Sequence, residues 1–493
     1  MPQSLIDIVF VHGWSVTHTR TYGGLPERLV SEGSRHGLKL QKRHIYLGRY
    51  VSFHDEVRVE DIAAAMEAAV RDQKLGSTNR FFCVTHSTGG PVVREWFDRF
   101  YARKRKTCPM SHLVMLAPAN FGSALAQLGK GRLGRMKSWF GGIEPGQGVL
   151  DWLELGSAHA FELNKRWIHE GDKTIGGNGF FPFVIAGQTI DRKAYDHLNS
   201  YTGELGSDGV VRVAAANLSS SYICLKQFGN PDEKGYSRLR KSAAATSASS
   251  ALRVVSGKSH SGTKSGIMSS VKPARNLRGA AIDGDTVESI MRCFQVGTRR
   301  DYDSLVAQFA AETAVVQKND QVEIEKRTLA ADRTFIHDRY SQIVFRIKDT
   351  EGYCVEDFDL LLTAGANSDP NHLPAGFFRD RQANKIDPST ITYFVNYDVM
   401  AGSPEIPGVR AKLEGTRSLG FILHPRPASG FVHYQKCRIR ASANLFQAVI
   451  RPNQTTLIDI VLTRIVHKET FRIERTSKQR SFKNARPGKE TTQ

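Results

Sequence analysis

The six cysteines of this 493-residue sequence (Cys83, Cys108, Cys224, Cys293, Cys354 and Cys437) include no CxxC pair and no metal-ligand spacing. Such scatter excludes a disulfide framework or a structural zinc site as the basis of the fold, so the thiols are expected to be mostly buried and reduced. No uncharged apolar run approaches the roughly 18 residues needed to span a bilayer. Leu5 to Val11 reads directly as an apolar strand, with neither a basic leader nor a cleavage-site pattern before it. The expectation is a protein made in soluble form that meets membranes only at its periphery. Zinc-finger spacing, a nucleotide P-loop and an aromatic-basic RNA-binding motif are also missing, which argues against nucleic acid as the partner.

What is present fits a folded enzyme of two domains. Hydrophobic residues at 40% and charged residues at 24% exclude both disorder and a fibrous repeat. The length is too great for one ordinary core and comfortable for two. Lysine and arginine number 68 against 49 aspartate and glutamate, a net charge of +19 that favours anionic surfaces. With nucleic acid set aside, an anionic phospholipid surface is the expected partner.

Buried strands alternate with helices along the first half of the chain. Ile6 to Val11 runs into His12-Gly13-Trp14, and Phe81 to Val84 runs into Thr85-His86-Ser87. Between them Ile62, Met66, Ala69 and Val70 recur at helical spacing, as do Val92, Val93, Trp96, Phe97 and Phe100 after the second strand. Further strands are expected over 112–117 and 181–186. This order predicts an α/β fold with a parallel sheet and crossover helices. Residues 234–270, rich in Ser, Ala and Lys, read as a surface loop. Beyond Ala280 two short helices, over 286–294 and 301–316, precede strand-like runs separated by Gly, Pro and Asn. The expected division is a catalytic domain over 1–280 and a β-rich, sandwich-like domain over 281–493. The last stretch, Arg464 to Gln493, carries nine Lys or Arg and three Glu and reads as a basic tail.

Thr85-His86-Ser87-Thr88-Gly89, set between a buried strand and a helix, matches the nucleophile elbow, in which serine sits on a strained turn above the sheet. An N-capping serine would also suit this place, and Thr85 stands where the usual motif has glycine. A nucleophilic serine needs a base and an acid that orients it, in the chain order Ser, Asp or Glu, His. Asp208, in Gly206-Ser207-Asp208-Gly209, is the candidate acid, with Asp191 as rival. His260, in Ser259-His260-Ser261-Gly262, is the candidate base, with His197 as the alternative. Backbone N–H groups of Trp14 and Thr88 lie at the two places this fold uses for an oxyanion hole. Residues 121–157 interleave Leu125, Leu128, Leu133, Met136, Trp139 and Phe140 with Lys130, Arg132, Arg135 and Lys137, which suits a lid, an interfacial anchor or a basic surface helix equally well. The elbow and triad alone leave open a serine esterase, lipase or acyltransferase acting on a soluble or neutral-lipid ester.

The motifs Thr85 to Gly89, His12 to Trp14, Ser207 to Val211 and Ser259 to Gly262 together resemble the PlaB-type bacterial phospholipases A, whose elbow also begins with threonine. The resemblance is specific over residues 1–270 and beyond them rests on a matching layout. It implies an α/β-hydrolase fold, phospholipase A and lysophospholipase A activity on membrane glycerophospholipids, and a triad of Ser87, Asp208 and His260. It further implies association with bacterial membranes, the outer membrane included, and assembly into homo-oligomers. Neither a metal nor another cofactor is expected in the reaction.

Overall fold

Central strands of a parallel sheet are covered on both faces and so are apolar throughout. The computed structural model, which describes residues 4–12, 21–52, 54–128, 146–190, 205–273, 280–326, 332–416, 418–440 and 446–467, places such strands at the middle of its first sheet. These are β1 (Ile6–His12), β3 (Phe81–His86), β4 (Met110–Leu116) and β5 (Phe181–Gly187). With the more polar β2 (Leu40–Tyr46) and with β8 (Ala251–Val255) at the edges, they pair in the order β2-β1-β3-β4-β5-β8, all parallel. The order reverses between β1 and β3. Open α/β sheets form their crevice at such a switch point, beyond the carboxyl ends of the strands. Val11 and Thr85 lie side by side there.

Helices α1 (Leu25–Gly33), α2 (Val59–Asp72), α3 (Gly89–Phe97), α4 (Gln147–Leu153) and α5 (Ala158–Thr174) belong to this layer. After the short α6 (Val213–Ala216), α7 (Ala280–Phe294) packs on α1, β4 and β5, and α8 (Arg299–Asn319) packs along β8. Both helices of the 280–319 stretch therefore cover the parallel sheet, where sequence texture had assigned them to the second domain.

The converse holds for β6 (Ser220–Phe228) and β7 (Ser237–Thr246). They lie inside a nine-stranded sheet of order β12-β15-β17-β7-β6-β18-β11-β14-β13. Its other members are β11 (Tyr340–Asp349), β12 (Phe358–Ala364), β13 (Phe378–Ala383), β14 (Thr390–Asn396), β15 (Leu419–Pro425), β17 (Cys437–Ile439) and β18 (Thr455–Leu462). The loop expected over 234–270 is thus mostly strand, since it contains β7 and β8. The boundary drawn at 280 does not follow the packing: chain before it completes the second sheet, and chain after it covers the first.

The β-rich expectation holds, but one curled sheet makes the layers. Phe345 of β11 meets Phe421 of β15 at 5.2 Å between ring centroids, and the Tyr393 hydroxyl of β14 donates to Leu360 O of β12. One face of the sheet closes over Ile343, Phe345, Ile460 and Leu423. Its other face rests on α5. Arg346 pairs there with Asp459 (2.7 Å) and Glu162 (2.7 Å), its guanidinium 3.7 Å from the Phe161 ring, while Lys165 reaches Asp459 at 3.2 Å.

Burial pushes the Asp459 carboxyl up, but hydrogen bonds and charge from Arg346, with Tyr222 and Lys165, outweigh it and hold the group below its ordinary value of 3.8. A depressed carboxyl stabilises the fold fully above its unfolded value and loses that contribution as pH falls through the folded one. Asp459→Asn is expected to lower stability by about 2 kcal/mol at neutral pH, because it leaves the buried Arg346 guanidinium with Glu162 as its remaining carboxylate. Thermal denaturation of both proteins checks this, and the gap should narrow as pH falls below the ordinary carboxyl value of 3.8. No described helix is long and apolar enough to cross a membrane.

Candidate active site

Ser87 ends β3 with φ of 54°, a left-handed conformation that a side-chain-bearing residue adopts at a cost of about 1 to 3 kcal/mol. The turn is held from both sides. Ser87 N–H donates to Leu116 O at 3.0 Å, and Gly90 N–H donates to Ser87 O at 3.3 Å. Strain here predicts that Ser87→Gly raises the melting temperature above that of Ser87→Ala by an amount equivalent to about 1 kcal/mol, since glycine adopts positive φ freely. Equal melting temperatures for the two variants would remove the strain argument.

Thr85, the departure from the usual elbow, is fully buried between Val11 and Met115. Its bulk fits because position 89 has no side chain: a Cβ on Gly89 would stand 3.2 Å from the Thr85 Cβ. Gly89 keeps the second glycine of the customary motif, and the space it leaves takes the threonine that replaces the first.

His260 and Asp208 reach Ser87 from separate turns. His260 follows β8, and its Nε2 lies 3.0 Å from Ser87 Oγ. Its Nδ1 lies 3.0 Å from Asp208 Oδ2, and its backbone N–H donates to Asp208 O at 3.0 Å. A carboxylate accepts, so the partners assign the imidazole proton to Nδ1 and leave Nε2 to accept from the serine hydroxyl. Asp208 Oδ1 accepts from the backbone N–H groups of Val210 (3.0 Å) and Val211 (2.8 Å). Both residues are essentially buried, at 1% exposure each. Three of the five site residues expected from sequence therefore form one hydrogen-bonded line.

Thr88 is the N-cap residue of α3, so its N–H belongs to the unsatisfied first turn of a helix beside Ser87. Trp14 lies outside the described residues, as do Asp191 and His197, the rival acid and base. Sequence reasoning did not single out His86. Its Nε2 donates to the His260 carbonyl at 3.0 Å, and its ring centroid lies 4.6 Å from that of His260. Burial pushes its pKa down to about 3, helped by the neighbouring His260, so the ring is neutral wherever a triad works. Its place inside the elbow motif was the available signal.

No family model matches the chain, and no curated protein matches it. Among solved structures, phospholipase PlaB from Legionella pneumophila is 44% identical, aligns over 97% of this chain and 98% of its own length, and superposes with a TM-score of 0.82. A structure of PlaB from the same organism in complex with thio-NAD is 41% identical over 99% of each chain, again with a TM-score of 0.82. This chain belongs to the PlaB phospholipase family. It is an enzyme of the carboxylic ester hydrolase class with an α/β-hydrolase domain and a β-rich domain.

In this PlaB-family chain a small apolar pocket opens beside Ser87 and Thr88. Leu125 and Ala126 from the start of the 121–157 segment wall it, with Leu150 and Leu153 of α4 and Val210 and Val211 of the acid loop. Leu125, Ala126, Leu150 and Leu153 of that segment thus lie beside Ser87, while its basic stretch over 129–145 lies outside the described residues, like the tail beyond His467. A larger cleft of about 480 Å³ lies between α8 and the loops around Arg339 and Asn453, and none of the line Ser87, His260, Asp208 reaches it. Placement of the chemistry, not size, identifies the site.

Proposed function

We propose that this chain is a phospholipase A and lysophospholipase A that hydrolyses acyl esters of membrane glycerophospholipids through an acyl-serine intermediate. His260 takes the Ser87 proton as Oγ attacks the ester carbonyl, and Asp208 keeps the imidazole in the accepting tautomer. The Thr88 and Trp14 N–H groups stabilise the oxyanion. Collapse of the tetrahedral intermediate expels the lysolipid alkoxide, which receives the proton from His260, and water then repeats the sequence to release fatty acid. Side chains and backbone carry every step, and no metal or cofactor has a part in it. The observation that carries the proposal is the unbroken line from Ser87 through His260 to Asp208.

The lipid surface finds support on the second sheet. Lys226 lies directly opposite Arg240, with Arg238 two residues before it, all three exposed on β6 and β7. Like charges facing each other across strands are destabilising, and anionic headgroups would relieve the repulsion. The protein is read as a bacterial, peripherally bound enzyme that self-associates. Flotation with anionic and zwitterionic vesicles checks the preference: binding is expected to anionic vesicles and to fall with salt, as expected for surface electrostatics.

The small size of the pocket beside Ser87 favours a second reading, a short-chain soluble ester as substrate. Fatty-acid release from long-chain phospholipid vesicles, compared with hydrolysis of a short-chain ester, separates the two. Greater kcat/KM on vesicles is expected, and equal or lower values would discard the lipid assignment.

A further inference from the structure

We infer that the curled sheet positions the acid of the triad, and that Arg212 is the residue through which it acts. The inference rests on the triad reading above. Asp208 stands on a tight loop whose base is closed by the Ser207–Arg212 bridge and by Val213 N–H donating to Gly206 O at 2.9 Å. One side of this loop meets His260. The other side meets strands that belong to the second sheet.

Arg212 is the central attachment. Its side chain is 2% exposed and ion-pairs with Asp380 of β13. Its guanidinium lies 4.1 Å from the Phe394 ring of β14, and Nη1 lies 3.5 Å from Gln342 Oε1 of β11. Gly206, at φ of +78°, lies against Tyr340, where a Cβ would come within 2.5 Å of the ring, and Tyr340 in turn stacks on Phe394. Just past the loop, Ala214 O accepts from the Thr455 hydroxyl at 2.9 Å, and Asn217 Nδ2 donates to Asn453 O at 2.8 Å.

From 206 to 217, then, the backbone that carries the acid is tied at successive points to β11, β13, β14 and the start of β18. None of these strands belongs to the sheet that carries Ser87 and His260. Asp208 must keep its carboxylate within hydrogen-bond reach of His260, and the hydrolase layer supplies only part of what holds it there. A buried guanidinium without its carboxylate is costly, so loss of the Arg212–Asp380 pair should let the loop move to rehydrate the charge. Arg212 and Asp380 touch neither substrate nor imidazole, and are positioning residues.

Arg212→Met and Asp380→Asn test this in the full chain, with Asp380→Asn as the milder change should Arg212→Met fold poorly. Rates are measured on a short-chain soluble ester and divided by the sites that a serine-directed phosphonate titrates. A displacement on the ångström scale is expected to lower kcat by about 10- to 100-fold, with KM within about twofold of the native value. The deciding readout is coupling: Asp208→Asn should cost less in the Asp380→Asn background than in the native one, because the acid is already misplaced there. A merely structural role leaves the Asp208→Asn factor unchanged in both backgrounds, and that result, or native kcat per titrated site in either variant, overturns the inference. Ser87→Ala in parallel separates the layers of argument: retained activity removes the triad reading, whereas an inactive Ser87→Ala beside a native-like Asp380→Asn removes only the role of the sheet.

Discussion

Ser87→Ala is expected to reduce ester hydrolysis by about a millionfold, to the level left by binding and oxyanion stabilisation alone. Without Oγ there is no acyl-enzyme, and a water placed beside His260 has neither the orientation nor the restricted geometry of the hydroxyl held 3.0 Å from Nε2. Alanine keeps the positive φ at this position, so the variant should fold as the native chain does, and circular dichroism serves as the control. Fatty-acid release from phospholipid vesicles is the measurement. Activity within about tenfold of native would contradict the assignment of the nucleophile, since no other part of the proposal could supply a difference so small.

Asp208→Asn is expected to lower kcat by about ten-thousandfold at neutral pH, although it changes the shape of the site hardly at all. The surrounding hydrogen bonds decide which way the new amide points. Oδ1 of the native residue accepts from the N–H groups of Val210 and Val211. Only the carbonyl oxygen of asparagine can take that place, so its NH₂ group must face His260 Nδ1. An imidazole opposite a donor keeps Nδ1 unprotonated and carries its proton on Nε2, where it can no longer accept from Ser87. Active-site titration with burst kinetics on a soluble ester reports the acylation rate directly. A loss below about tenfold would mean that another carboxylate orients His260.

The elbow was legible because it is local. Strand, turn and helix around Ser87 occupy consecutive residues, and a run such as Phe81 to Val84 is apolar for the reason that both faces are covered. The edge strand β2 escaped the same reading, since Gln41, Lys42, Arg43 and His44 interrupt its apolar positions. β7 escaped for a different reason. Serine, alanine and lysine have little strand preference of their own, and Ser237 to Thr246 becomes a strand because β6 and β17 supply its hydrogen-bond partners from either side. Composition therefore read as a loop what neighbours made into the middle of a sheet.

By itself, then, the sequence determined the parallel α/β layer, the turn that carries Ser87 and the chain order of Ser87, Asp208 and His260, because each follows from short-range patterning and covalent connection. It also carried enough of the family's motifs to lead to PlaB. Only the tertiary structure decided that Asp208 and His260 converge on Ser87, that Gly89 makes room for Thr85, that helices past residue 280 cover the first sheet, and that Arg212 ties the acid loop to the second. Those facts depend on contacts between residues far apart in the chain. Side-chain identity states which chemistry is available, whereas the burial and register that bring two such groups within 3 Å are properties of the whole packed molecule.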